Sequence, residues 1–272
     1  MTDLTQQLRS ALFVPASRPE RFVKALQAGA DAVIIDLEDA VEPAVKDQAR
    51  QAIRHFLQEH MSARVLVRVN GVGTPWFDDD LALCAQLAGV AAVMLPKADS
   101  ADHVRRAAQA GKAVLPIIES AGGVLNLPHI AAAPAVSRLS FGSLDIMLQT
   151  GSAPGTAGAA LLLDHIRCQI LLHSAACGLA APLDGVYPDF ANTDGLQAVA
   201  TQVRDMGFAG MLCIHPKQVP VIHSVFTPSE TQLDWARRVV QQADESGTLA
   251  FQIDGQMVDA PVIERARRML RG

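Results

Sequence analysis

Gly29–Val41 reads GADAVIIDLEDAV, and its two halves carry different information. Ala32–Leu37 (AVIIDL) is a short β-branched run with no polar/apolar alternation, the pattern of a parallel strand covered on both faces. Asp36, Glu38 and Asp39 then crowd the end of that strand. Upstream, Pro19–Ala28 has helical spacing and stops at Gly29, a suitable helix terminator.

The same order of helix, glycine and strand recurs along the chain. Seven further apolar runs are Ala11–Ala16, Val65–Asn70, Ala91–Pro96, Ala113–Ile118, Val136–Phe141, Leu179–Val186 and Gly210–His215. Val45–Glu59, Asp78–Leu87, Ala101–Ala110 and Ala159–Ala176 supply helices between them, with Gly89 and Gly111 before the next strands. Strands joined by helices must run parallel. Eight such units predict an α/β fold of the (β/α)8 TIM-barrel type over residues 1–225; an open doubly wound sheet is the competing arrangement. Residues 226–272 read as a C-terminal helical or lid extension on the barrel or on a neighbouring subunit. It comprises a helix over Pro228–Ser246, a strand and turn in FQIDGQMVD, and a last helix over Val262–Leu270. Gly142–Gly158, rich in Gly, Ser, Thr and Pro, reads as a loop on the face where barrel active sites form.

Composition narrows the class. In 272 residues, 50% are hydrophobic but only 4% aromatic, and the net charge is -5. Without a long basic run a nucleic-acid groove is not expected, and apolar stretches broken by Arg, Asp or His predict no membrane span. Cys84, Cys168, Cys177 and Cys213 lack metal-ligand spacing and read as reduced and buried. With the polar N-terminus MTDLTQQLRS they predict a cytoplasmic protein.

Polar groups at strand ends are the candidate chemistry. Glu119 (LPIIES) and Asp145 (SFGSLD) follow strands five and six, which a barrel makes neighbours. Two hard oxygen ligands suit Mg²⁺ or Mn²⁺; a glycosidase-type acid–base pair is the alternative, for which two tryptophans give little sugar platform. Asp36 and Glu38 read as site carboxylates or as caps and surface charges. Arg68, inside VLVRVN, needs an anion, either a carboxylated substrate or Asp36 itself. Lys97 reads as a further cation or a salt-bridge partner, and His215 as an orienting or structural residue. Arg18 and Lys24, after strand one, are either phosphate contacts or exposed helix charges.

These segments together resemble one family. RSALFVPASRPERF, the GADAVIIDLEDAVEPAVKDQAR stretch, VLVRVN, VMLPKADS, LPIIESAGGVLN, LSFGSLD, GFAGMLCIHPKQV and FTPSE occur in order over nearly the whole chain. They resemble the citrate lyase beta-subunit-like (CitE-like) family, within the malyl-CoA lyase and HpcH/HpaI aldolase superfamily. The resemblance implies Mg²⁺ held by Glu119 and Asp145, with Arg68 clamping an oxoacid. It implies Asp36 and Glu38 as supports for metal-bound waters and for Arg68, and a CoA thioester substrate whose phosphates meet Arg18 and Lys24. DGQMVD resembles a tail segment whose acid–base aspartate maps to Asp259; in relatives it closes over an adjacent subunit's site in trimers or hexamers. Leu144 stands where relatives commonly carry glutamate, and Met211 where lysine is frequent. The expected reaction is cleavage or formation of a 3-hydroxyacyl-CoA (citryl-, malyl- or citramalyl-CoA type), with Asp259 exchanging the proton. Backbone amides of Gly142, Ser143, Leu144 and Asp145 would orient the oxoacid carbonyl. Thioester hydrolysis, an oxoacid aldolase and a non-catalytic acyl-CoA-binding or assembly subunit are the alternatives.

Overall fold

Eight strands pair in parallel and in chain order: β1 (Ser10–Pro15), β2 (Ala32–Asp36), β3 (Val65–Arg68), β4 (Val90–Leu95), β5 (Ala113–Ile118), β6 (Arg138–Phe141), β7 (Ala180–Asp184) and β8 (Gly210–Cys213). β8 returns to pair with β1, closing the sheet and settling the choice between barrel and open sheet. This is a computed structural model describing residues 8–247 and 250–271; the first seven residues, part of the polar segment MTDLTQQLRS that entered the cytoplasmic expectation, lie outside it.

Helices fill the returns: α1 (Phe22–Leu26), α2 (Lys46–Glu59), α3 (Phe77–Gln86), α4 (Ala101–Ala107), α5 (Ala121–Leu125), α6 (Leu127–Ala131), α7 (Ser143–Thr150), α8 (Ala157–Ala176), α9 (Thr193–Met206) and α10 (Gln218–Phe226). Both strand faces are buried, which explains the missing alternation in sequence. Ala32 and Ile34 of β2 face a core inside the barrel with Ala11, Leu66, Ala92 and Leu115. Val33 and Ile35 face an outer core with helix residues such as Phe22 and Ile53. The period of two then continues to the strand ends: Asp36 has the parity of Ile34, and Arg68 that of Leu66. Two polar side chains thus enter the barrel at its C-terminal mouth because hydrophobic neighbours fix the register.

Two expectations change. Gly142–Gly158 is not one loop, because α7 occupies Ser143–Thr150, anchored by buried Ile146 and ended by Gly151 at φ 68°. Its small polar residues mark the helix ends and the turn that follows, not the whole segment. Only two cysteines, Cys84 and Cys213, are buried, whereas Cys168 and Cys177 are exposed; all four are free thiols. Apolar neighbours in sequence misplace the latter pair because a helix turns only one stripe inward. The segment after β5 forms α5 and α6, the latter started by Pro128 in its first turn.

By its contacts the chain divides into Met1–Phe226 and Thr227–Gly272. The second unit contains α11 (Glu230–Ser246), the hairpin β9 (Phe251–Ile253) and β10 (Gln256–Val258), and α12 (Ala260–Arg271). Ser229 caps α11 in a full capping box with Gln232. Asp254 and Gly255 both have positive φ, at 52° and 76°, the backbone that a two-residue type I′ hairpin turn requires. Ala236, Val239, Ile253, Val258, Ile263 and Ala266 form this unit's own small core. Among the described residues no helix is long and apolar enough to cross a membrane.

Candidate active site at the C-terminal mouth of the barrel

A cavity of about 340 Å³ opens at the strand ends. Asp36, Arg68, Glu119, Gly142, Ser143, Leu144 and Asp145 line it, together with Asp39 and an apolar wall that includes Phe13, Ile117, Phe141, Val186 and Leu212. Residues from Phe13 to Leu212 therefore meet, as the barrel topology requires.

Asp36 and Arg68 are register partners on β2 and β3. Arg68 donates from Nε to Asp36 Oδ1 at 2.7 Å and from Nη2 to Asp36 Oδ2 at 2.6 Å. The internal salt bridge with Asp36 is the observed partner of Arg68: Asp36 fixes one edge of the guanidinium, and the residue lines the cavity. Its Cζ sits 4.7 Å from the centre of the Phe13 ring, whose face favours the cation. Burial alone would lower the Arg68 pKa, but Asp36, Glu38 and Glu119 more than offset it and keep the group charged.

Glu38 lies behind this pair, 6% exposed. Its Oε2 is 3.0 Å from Arg68 Nη1 but has no aligned hydrogen-bond donor. Lys97 pairs with Glu38 Oε1, and its Nζ also lies 3.5 Å from Asp39. Burial raises the Glu38 pKa above the usual carboxylate range, although Arg68 and Lys97 pull it down. The salt-bridge reading of Lys97 is thus the observed one. Sequence reasoning missed its backbone: Lys97 has φ 49°, and its N–H donates to Glu119 Oε1 at 2.7 Å. A left-handed conformation at a residue other than glycine is uncommon and marks a locally strained site.

Glu119 is 6% exposed at the end of β5. Burial, aided by Glu38 and Asp145 and opposed by the Lys97 N–H and Arg68, pushes its pKa up to about 8. Asp145, in the first turn of α7, faces the same cavity. Room for Glu119 comes from Gly142: a Cβ there would stand 2.4 Å from Glu119 Cβ and 2.6 Å from its Oε2. A buried carboxylate held next to a second carboxylate is electrostatically unfavourable until a cation or a proton joins them. These donors fit Mg²⁺, which takes few protein carboxylates and fills its other positions with water and substrate oxygens. Among the described residues no group of three or more His, Cys, Asp and Glu stands together as a metal site.

A second cavity of about 480 Å³ shares Phe13, Pro15 and Ile214 with the first and includes Arg21, Lys24 and His215. Lys24 is where the sequence reading expected a phosphate contact. Arg18 does not line this cavity; Arg21 does, because one turn separates Arg21 from Lys24 on the helical segment that runs from Pro19 through α1 and puts them on one side. His215 stacks on Phe190 at 4.6 Å and accepts the Lys217 N–H at its Nδ1, an orienting role. Met211 is 1% exposed in the outer core, so no cation is available at that position. Leu144 is 43% exposed at the cavity mouth. Asp259 belongs to the second unit, where its side chain accepts the Val262 N–H at the start of α12.

The family profile of HpcH/HpaI aldolase/citrate lyase matches residues 9–216, which span the barrel and every cavity residue named above. The chain belongs to this family. Within it, the chain is of the citrate lyase beta-subunit and malyl-CoA lyase type. A citrate lyase subunit beta-like protein of Mycobacterium tuberculosis is 41% identical, with 96% of this chain and 93% of the relative covered. A (3S)-malyl-CoA thioesterase of Cereibacter sphaeroides is 34% identical, covering 99% and 96%. The crystal structure of CitE from Mycobacterium tuberculosis in complex with magnesium, acetoacetate and coenzyme A superposes with a TM-score of 0.84. It is 39% identical, with 98% of each chain covered. Membership in an aldolase and lyase family sets the glycosidase alternative aside.

Proposed function

We propose that this chain is a Mg²⁺-dependent carbon–carbon lyase that cleaves a 3-hydroxyacyl-CoA into an oxoacid and an acyl-CoA, or joins them in reverse. The observation that carries the proposal is the meeting of Glu119, Asp145 and the Asp36-braced Arg68 in one cavity. The magnesium, acetoacetate and coenzyme A bound to the Mycobacterium tuberculosis relative support the same chemistry.

Glu119 and Asp145 would hold the ion, with Mn²⁺ as a substitute. Bound there, Mg²⁺ supplies Lewis-acid stabilisation of negative charge on the reacting oxygens. Arg68 binds the oxoacid carboxylate, with Asp36 and Glu38 setting its orientation and supporting waters around the ion. Amides of Gly142, Ser143, Leu144 and Asp145 orient the oxoacid carbonyl. Cleavage breaks the bond between the carbinol carbon and the acyl α-carbon: the hydroxyl proton passes to water, the carbinol becomes the oxoacid carbonyl, and the electron pair of the broken bond passes into the thioester enolate. Asp259 transfers a proton to that enolate carbon. The assembly that goes with this reading is a homotrimer or hexamer. Lys24, with Arg21 beside it and Arg18 nearby in sequence, meets the phosphates of the thioester. Four free thiols accord with a cytoplasmic location.

A second reading, thioester hydrolysis after cleavage or in its place, is favoured by the likeness to a (3S)-malyl-CoA thioesterase. Purified protein with Mg²⁺ and citryl-, malyl- and citramalyl-CoA, scored separately for oxoacid, acyl-CoA and free CoA, decides. Oxoacid with acyl-CoA supports the lyase, free CoA supports the hydrolase, and no product from any thioester overturns both.

A further inference from the structure

Beneath the acid-rich end of β2 lies a buried cation that takes no part in the chemistry above. Lys46, the first residue of α2, is 4% exposed. Its Nζ donates to the Leu37 carbonyl at 2.7 Å, to the Glu38 carbonyl at 3.0 Å and to Asn70 Oδ1 at 2.6 Å. All three ammonium protons are thereby used on neutral acceptors, and the Trp76 ring lies 4.9 Å away. Asn70 is held in turn by Asp80, fully buried, which accepts from Asn70 N at 2.8 Å and from Asn70 Nδ2 at 2.6 Å. Arg50 closes the chain by donating to Asp80 at 3.0 Å.

The placement of these acceptors gives the network a purpose. Leu37 and Glu38 immediately follow Asp36, and Asn70 lies two residues beyond Arg68. One ammonium therefore ties the exit of β2 to the exit of β3, the two segments that present Asp36, Glu38 and Arg68. A buried lysine with no directly paired carboxylate is a costly way to fill a core, since an apolar side chain of the same length would avoid its desolvation. We infer that Lys46 is a positioning residue: through two backbone carbonyls and Asn70 it sets the separation of the Asp36 and Arg68 strands, and so the geometry of the oxoacid clamp. It touches no substrate. The inference rests on the oxoacid-clamp reading proposed above.

The test compares two binding sites on one protein. Lys46→Met keeps the length of the side chain and removes its donors. With Mg²⁺ present, pyruvate binding by calorimetry is expected to weaken at least tenfold in K46M, while CoA binding stays within twofold of wild type. In turnover with a cleavable thioester the loss falls on kcat rather than on the KM for CoA-bearing substrate. Lys46→Gln, which keeps one donor, is expected to recover part of the pyruvate affinity. Equal pyruvate binding in folded K46M and wild type overturns the inference. So does a proportional loss of pyruvate and CoA binding, or failure of both variants to fold, since each makes Lys46 a residue of stability alone. Failure of the wild-type protein itself to bind pyruvate is the separate result that sinks the oxoacid-clamp reading.

Discussion

Arg68 holds Asp36 through two parallel hydrogen bonds, at 2.7 and 2.6 Å, between register partners on adjacent strands. A planar fork matched to a carboxylate cannot be reproduced by a point charge. Arg68→Lys is therefore expected to raise the Kd for an oxoacid by at least about tenfold while the fold persists, because the cation survives but its orientation does not. Calorimetric titration with pyruvate and Mg²⁺, beside a circular-dichroism melt, checks both halves. Unchanged affinity in R68K would remove Arg68 from the clamp.

Gly142 makes a sharper steric prediction. Its absent Cβ leaves the space that Glu119 occupies, and adding one creates contacts of 2.4 and 2.6 Å. Gly142→Ala should cost about 1–3 kcal/mol of stability, the range for overpacking a closed core, and displace the Glu119 carboxylate. Denaturant unfolding and divalent-ion titration of G142A should both change. A variant as stable as wild type with intact ion binding would mean that the β5 and β6 ends are much looser than their packing implies.

The barrel was legible in the chain because its signal is repeated: eight β-branched runs separated by helices, with both faces covered. The acids at the strand ends were legible for the same reason, since topology alone puts Glu119 beside Asp145. The contribution of Lys97 was not, because it lies in a backbone N–H and a φ of 49°, and neither leaves a mark in residue type. Phe13 was also missed. Its place under Arg68 follows from alternation along β1, but an apolar residue in an apolar run carries no flag of its own. Arg21 was hidden by the choice of Arg18, three positions earlier on the same short helical segment. Asp259 came from resemblance, and its side chain accepts the Val262 N–H.

The raised pKa of Glu119, about 8 against an ordinary 4.5, gives a pH dependence with a definite sign. Between those values the metal-free folded protein binds a proton that the unfolded chain has lost. This group's contribution to stability is therefore present below pH 4.5 and lost as pH rises through 8, at up to about 1.4 kcal/mol per pH unit. A divalent ion must displace that proton, so its apparent affinity should rise about tenfold per pH unit toward pH 8 and then level. Melts with and without Mg²⁺ from pH 6 to 9 test this. Stabilisation by Mg²⁺ that does not grow with pH would contradict it.

Thiol reactivity tests the corrected cysteine assignment. Burial pushes Cys84 and Cys213 up to about 12, whereas Cys168 and Cys177 are exposed. Ellman's reagent at pH 8 should titrate two thiols per native chain and four after denaturation. Four fast thiols in the native protein would show that the outer core opens readily.

Mn²⁺ binding followed by electron paramagnetic resonance bears most directly on the central claim. Wild-type protein at pH 8 is expected to bind one ion per chain, and Glu119→Ala and Asp145→Ala are each expected to leave the ion free in solution while keeping the wild-type circular-dichroism spectrum. Ion binding by folded E119A or D145A with wild-type affinity would contradict the account, because the cation would then sit somewhere other than between those two carboxylates.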